Sequence, residues 1–574
     1  MSSFFKKNYF SSNSSYNKEI SPDEILLDSK NIPNYDTGQF EGRLERSISR
    51  RAIYSVVWTF LLIAIIFISR SFNLQIIHGA EYQKRSQNNI LRPVPLFAGR
   101  GLITDRNGIF LAWNEPLDNS TTSDAVAVRR YATSTGLSHI LGYVKYPSKD
   151  NNGFYYQNDF KGEAGAELYF DSELSGDHGR RLIEVDAHNN IISENVTRPP
   201  VQGKDIKLSI DSRVQSVLYE NIKKVAQDVG FTGGAGVIMD VNNGQVIAIT
   251  SYPEYSSQIM SDKTDNNAVK AILNNKSLPF LDRALDGLYA PGSVVKIFVA
   301  LGVLNENIIS PEKIIMTNGS LSIPNPYDST KSTVFRDWKN HGPVDMRHAL
   351  SVSSDVYFYT VGGGFENQKG LGIRKIDEYL TTFGFSTTTM DNSKSFLLRK
   401  AGTIPTPEWK IKTFKEPWFV GNTYHTSIGQ YGFQVTPIQV ARAVSTVASF
   451  GKMYSPTILA DQEPNLESVV SIPKQYFNVV HEGMRLSVTE GTAKSLNIPK
   501  FEIAAKSGTA ELGYSKEKIN SWMTGFWSYK NPRYVFVVML ENGTVNYQVG
   551  AGAVMRQTLD WMYQNTPEYF DNLN

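Results

Sequence analysis

The sequence predicts an α+β protein with a single N-terminal transmembrane helix, a β-rich stalk and a second domain in which an antiparallel sheet is flanked by helices. Three observations predict it. An uncharged run from Ala52 to Ile68 is about as long as a helix needs to be to span a hydrocarbon core. Short β-like runs then alternate with Gly, Asn and Asp turns up to about residue 205. Beyond that point strand patterns stand at both ends of the chain around a helical middle, so one sheet is assembled from the two ends.

Residues 1–51 form an expected cytoplasmic tail, largely disordered, rich in Ser, Asn, Tyr and Lys and without apolar periodicity that could offset chain entropy. Residues 52–69 are the expected transmembrane helix. Arg43, Arg46, Arg50 and Arg51 crowd its N-terminal side while Arg70 stands nearly alone on the other, which places the N-terminus in the cytoplasm and the rest outside the cell membrane. Polar residues before the apolar run argue against a cleaved signal peptide, and its lack of a polar face argues against a core helix.

The stalk is expected over 70–205, with Gly101 to Gly108 and Arg181 to His188 as examples of its turn-punctuated strands. Arg198 to Gly203 marks the boundary, and 206–574 is the second domain. Ile206 to Ile210 reads as a strand and Val214 to Val229 as an amphipathic helix. Ala235 to Asp240 and Gln245 to Thr250, joined through Asn242-Asn-Gly244, read as a hairpin. Strand patterns return at Phe501 to Lys506, Trp522 to Trp527 and Tyr534 to Leu540, and a helix over Val554 to Tyr563 closes the domain.

Composition removes several functions. The chain of 574 residues has 58 Lys plus Arg against 56 Asp plus Glu, with no block of like charge, so a nucleic-acid partner is not expected. It has no cysteine, which excludes disulfides, thiolate metal sites and a cysteine nucleophile. Its 8 histidines lack HxxxH spacing, so no metal is expected. The 29 Tyr and 30 Phe are mostly accounted for by core packing.

Chemistry enters at Tyr289-Ala-Pro-Gly-Ser293-Val-Val-Lys296. A Ser and a Lys three apart on a helix share a face, so the amine can accept the hydroxyl proton. The tetrad recurs at Ser15, Ser471 and Ser515, where chance is the simpler reading. At Ser293 the context differs. Pro291 and Gly292 turn into a helix, apolar neighbours imply a buried Lys296, and the first helical turn offers free N–H groups to an oxyanion. Ser353-Ser354-Asp355 and Lys506-Ser507-Gly508-Thr509 follow in order, which completes the S-x-x-K, SDN-like and KTG-like set.

With these motifs the chain resembles the class B penicillin-binding proteins. Arg100-Gly-Leu-Ile-Thr-Asp-Arg-Asn-Gly108 is similar to their stalk motif RGxIxDRxG. Gly162-Glu-Ala-Gly165-Ala-Glu167 with Leu174-Ser-Gly176 is similar to the second stalk element, and Ser427 to Gly432 through Thr436 to Gln439 to the segment before the last motif. Asp355 departs from the Asn common at its place. Elongation-type members carry Asp there, and Gln368 to Ile373, Phe335-Arg-Asp-Trp338 and His341-Gly342 resemble that subgroup more than the division-type one.

The resemblance implies a pedestal for the stalk and a penicillin-binding transpeptidase domain for 206–574. It implies peptidoglycan D,D-transpeptidation, with Ser293 attacking the D-Ala-D-Ala carbonyl and β-lactams acylating the same serine. Lys296 is the expected base, its proton affinity lowered by burial and by Lys506 and raised by Asp355. Ser353 would relay a proton to the leaving amine, Lys506 and Thr509 would hold the substrate carboxylate, and Ser507 and Gly508 complete the expected substrate-binding strand. Backbone N–H groups of Ser293 and Thr509 would form the oxyanion hole. No cofactor is implied; the expected partners are stem peptides and a SEDS-family glycan polymerase. Alternatives are a D,D-carboxypeptidase or β-lactamase, against which the anchored stalk argues, and a weak scaffold or β-lactam sensor, which Asp355 would favour. A glycosyltransferase domain has little room.

Overall fold

A computed structural model describes residues 49–115, 127–149, 155–157, 160–185, 191–325, 328–385, 396–513, 516–545 and 549–571. The tail expected over 1–51 therefore falls, through residue 48, outside the described residues, as do Arg43 and Arg46. Two compact units divide the chain, Met1–Leu91 and Arg92–Asn574, so the boundary expected at 205–206 lies inside the second.

In the first unit Ser49 caps the helix Arg50–Phe72 by accepting from Ala52 N–H, and a π-helical turn, Asn73–Ile77, extends it. Among the described residues, Arg50–Ile77 is the one stretch of 28 residues long and apolar enough to cross a membrane.

In the second unit the central sheet has five strands, β1 (Gly233–Asp240), β2 (Val246–Tyr252), β3 (Ile503–Leu512), β4 (Lys518–Trp527) and β5 (Tyr534–Thr544). Their spatial order is β2-β1-β5-β4-β3 and every neighbouring pair is antiparallel. Strand alternation explains the two cores. Val535, Val537 and Met539 of β5 face one apolar cluster with Val440, Val444 and Phe298. Phe536, Val538 and Leu540 face another with Val214, Leu218, Ile222, Val554 and Leu559. The first face is covered by the helix Pro437–Ala448, the second by Ser212–Val229 and Ala551–Asn565. A Cβ on Gly236 would stand 2.8 Å from Leu218 Cδ2, so the glycine lets the helix Ser212–Val229 lie close against β1.

Two expectations shift. Only Ile206–Lys207 of the expected strand at 206–210 is regular, and it pairs parallel with Ile103–Thr104 of the stalk. β3 also runs on through Lys506 and Thr509 to Leu512, since β4 pairs with it as far as Lys518. The last motif is thus mid-strand, on the edge of the sheet.

The stalk motifs pack through buried charge. Arg100 Nε donates to Glu167 Oε2 at 2.5 Å, Arg129 Nε to Glu167 Oε1 at 2.7 Å, and Arg100 Nη2 reaches Asp171 at 2.7 Å. Burial opposes the Arg100 charge, yet Glu167 and Asp171 outweigh it and hold the guanidinium above its ordinary pKa. Asp105 ties the stalk to the sheet domain: its Oδ2 accepts from Ser212 Oγ at 2.8 Å, at the start of the helix Ser212–Val229.

Glu167→Ala would leave two buried guanidinium groups facing each other, so unfolding free energy should fall by about 3–5 kcal/mol. Thermal unfolding of the detergent-solubilised chain reads this, and an unchanged midpoint would contradict it.

Candidate active site

Ser293 sits in a 3-10 turn, Gly292–Val295, that leads into the helix Lys296–Asn305, rather than in the first turn of the α-helix as expected. The approach is held from three sides. Trp522 Nε1 of β4 donates to Ala290 O at 2.9 Å, Gly292 N–H donates to Gly429 O at 3.0 Å, and Tyr289 and Val435 exchange backbone hydrogen bonds. Gly292 has φ +55°, and a Cβ there would lie 2.6 Å from Thr509 O, so the turn and β3 are in backbone contact. Ser293 itself is half-buried, and among the described residues its hydroxyl makes no hydrogen bond.

One turn along, Lys296 is fully buried. Its Nζ donates to Ser353 O at 2.7 Å and to Asp355 Oδ1 at 2.6 Å, and lies 3.4 Å from Ser353 Oγ. Lys506 Nζ comes from β3 and donates to the same Ser353 Oγ at 2.8 Å and to Ser507 O at 2.9 Å. Three stretches far apart in the chain, carrying Lys296, Ser353 with Asp355, and Lys506, therefore meet here: both amines reach the Ser353 hydroxyl and Asp355 pairs with Lys296. Burial first, and the Lys296 amine second, hold Lys506 well below the ordinary lysine range, with Asp355 opposing. Lys506 makes no ion pair among the described residues, whereas Lys296 has Asp355 beside it.

Ser353 is reached by an unusual backbone. It ends the helix Met346–Val352 in the left-handed region at φ +59°, and Ser354 then caps Asp355–Gly363 by accepting from Tyr357 N–H. The residue that holds this corner is Asp337. Its Oδ2 accepts from Ser354 Oγ at 2.7 Å and from Val356 N–H at 3.0 Å. Trp338 Nε1 donates to Val352 O at 3.2 Å. Asp337 and Trp338 stand in the sequence only as part of a resemblance; no periodicity links positions 337 and 354, because the contact closes across the strand Gly342–Val344 and the helix Met346–Val352.

The last motif follows strand alternation. Lys506 and Gly508 are buried, Ser507 is half-buried and Thr509 is exposed. A Cβ on Gly508 would approach Pro291 O and Val294 Cγ2 at 2.9 Å, so only glycine lets β3 lie against the Ser293 turn. Ser507 Oγ donates to Thr492 Oγ1 at 2.7 Å, which occupies a hydroxyl expected to serve substrate.

The chain matches the family model of the penicillin binding protein transpeptidase domain over residues 234–560, and that of the penicillin-binding protein dimerisation domain over 119–208. The chain belongs to the class B penicillin-binding proteins. As a member of this class it is a transpeptidase that acts by serine acyl transfer. It is 28% identical to the peptidoglycan D,D-transpeptidase MrdA of Haemophilus influenzae, covering 94% of this chain and 95% of the relative. It is 29% identical to the Escherichia coli protein of that name over 89% of this chain and 93% of the relative. Pseudomonas aeruginosa PBP2, solved in complex with WCK 5153, superimposes with a TM-score of 0.67 at 28% identity, over 83% of this chain and 98% of that one. Helicobacter pylori PBP2, solved in complex with MreC, does so with a TM-score of 0.66 at 25% identity, over 83% and 99%.

Asp337→Ala should cost about 1–3 kcal/mol of stability by stranding Ser354 Oγ and Val356 N–H, measured by thermal unfolding. A melting curve unchanged from that of the parent chain would refute the corner assignment.

Proposed function

We propose that this class B penicillin-binding protein is the elongation-type peptidoglycan D,D-transpeptidase of its cell, with Ser293 as the nucleophile. The observation that carries the reading is the convergence of Lys296, Ser353, Asp355 and Lys506 on one buried hydroxyl beside the Ser293 turn. Asp355 pairs with only one of the two amines, and burial disfavours the single unpaired cation that would remain if both were charged, so one amine can take a proton. Ser293 Oγ attacks the carbonyl between the terminal D-alanines of a stem peptide. Its proton goes to Lys296, which first passes one of its own through the Ser353 hydroxyl to Lys506. Ser353 gives its hydroxyl proton to the departing D-alanine amine and takes one back from Lys506, and the acyl group stays on Ser293. An amine of a second stem peptide then attacks the ester and loses a proton through Ser353 to Lys506, while Ser293 Oγ leaves with a proton from Lys296 and the cross-link is formed.

Backbone N–H groups of Ser293 and Thr509 stabilise the oxyanion, a role supported by the close approach of Gly292 to Thr509. The edge position of β3 supports substrate binding by strand addition, with Gly508 at the contact and Lys506 and Thr509 beside the substrate carboxylate. Asp355 does not favour a decayed scaffold, since its carboxylate is paired with Lys296 at 2.6 Å. The same reading places the N-terminus in the cytoplasm, on the side of Arg50 and Arg51, and the catalytic unit outside. A SEDS-family glycan polymerase in the membrane and an MreC-like protein, as in the Helicobacter pylori complex, are the partners that fit it.

Intact-mass spectrometry after incubation with a labelled penicillin tests the reading. One stable adduct on the parent chain, absent from Ser293→Ala, is expected. A folded parent chain without an adduct would overturn it, and rapid release of hydrolysed penicillin would mark a hydrolase instead.

A further inference from the structure

A buried lysine outside the catalytic group stands behind the Ser293 turn. Lys410 lies in the helix Pro407–Phe414 and is 3% exposed. Its Nζ donates to Asn422 Oδ1 at 3.0 Å, and the same oxygen accepts from Phe419 N–H at 2.9 Å, at the start of the helix Val420–Ser427. The amine also stands 4.8 Å from the Phe419 ring centroid and 5.9 Å from that of Tyr431, with Glu416 at 3.4 Å. An amine with so few oxygen partners in a buried aromatic setting is costly to place there, and it touches both ends of one segment.

That segment, 420–431, carries the carbonyl that holds the Ser293 turn. Gly429 O accepts from Gly292 N–H, and Gly429 is itself left-handed at φ +78°, with a Cβ there 2.2 Å from Gly292 O. Two residues on, Tyr431 is left-handed at φ +63°, a conformation that costs a residue with a side chain and that its surroundings must impose. Trp409 and Trp418 each meet the Tyr431 ring edge-to-face at 5.9 Å, and Lys410 lies over the same ring. At the other end, Ser427 Oγ donates to Phe358 O at 3.1 Å, on the helix that begins at Asp355.

We propose that Lys410 is a positioning residue for acylation: by gripping Asn422 and Tyr431 it fixes the Gly429 carbonyl, and through it the Gly292–Ser293 turn. This rests on Ser293 being the nucleophile. The test uses the full-length chain in detergent with benzylpenicillin, comparing the parent with Lys410→Met, which keeps the apolar stem, and Lys410→Arg, which keeps a cation. Adduct amplitude counts folded sites, and the saturating acylation rate constant reports geometry within those sites.

Positioning predicts full amplitude for Lys410→Met with a rate constant lower by about 10- to 100-fold, and recovery of most of the rate in Lys410→Arg. A reduced amplitude with an unchanged rate constant would mean a purely structural lysine and overturn the proposal, as would a variant identical to the parent in both. If the parent chain gives no adduct, the nucleophile assignment fails first and the proposal with it, an outcome distinct from parent acylation with an indifferent Lys410.

Discussion

The site depends on one shortage: two buried lysine amines and a single carboxylate around the Ser353 hydroxyl. Each lysine alone would be expelled to water or neutralised, because the protein interior cannot solvate an unpaired charge. Asp355 meets one of them, and Lys506 bears the deficit. The Ser353 hydroxyl links the two amines, 3.4 Å from Lys296 Nζ and 2.8 Å from Lys506 Nζ, with no metal-ligand cluster among the described residues.

Much of the fold serves to keep that shortage in place. β3 is held against β4 along its whole length, so Lys506 cannot swing away from Ser353. The helix Lys296–Asn305 is apolar on all sides and buried, which pins its first residue, Lys296, at the end nearest Ser353. The left-handed Ser353 would relax into the preceding helix if Asp337 did not hold Ser354 and Val356 on the far side of the corner. Glycines at 292 and 508 then let strand and turn approach to backbone distance. Polar contacts choose the geometry, and the two apolar layers on the sheet supply the stiffness that keeps it.

The motifs, the apolar helix and the sheet of two ends were legible because each leaves a local record: a run without charge, a period of two, a tetrad in context. Tyr534 to Leu540 reads as a strand from its residues alone, and its alternate side chains do divide between two cores. What was not legible is contact closed over long separations. Asp337 with Ser354, Asp105 with Ser212 and Lys410 with Asn422 leave no spacing to find. The shift on Lys506 follows from its full burial beside the Lys296 amine, a long-range contact that no local pattern in the sequence records. The strand pattern in the sequence ends at Lys506, whereas β3 runs on to Leu512 with Gly508 admitting the neighbouring turn.

The most direct test is a side-chain amine NMR titration of the folded protein, with Lys506→Arg used to assign the signal. The account predicts one lysine amine that loses its proton well below the ordinary lysine value of about 10.4 and is absent from the arginine variant. A titration in which every lysine stays in the ordinary range would contradict it, because both amines would then be charged and neither could serve Ser293.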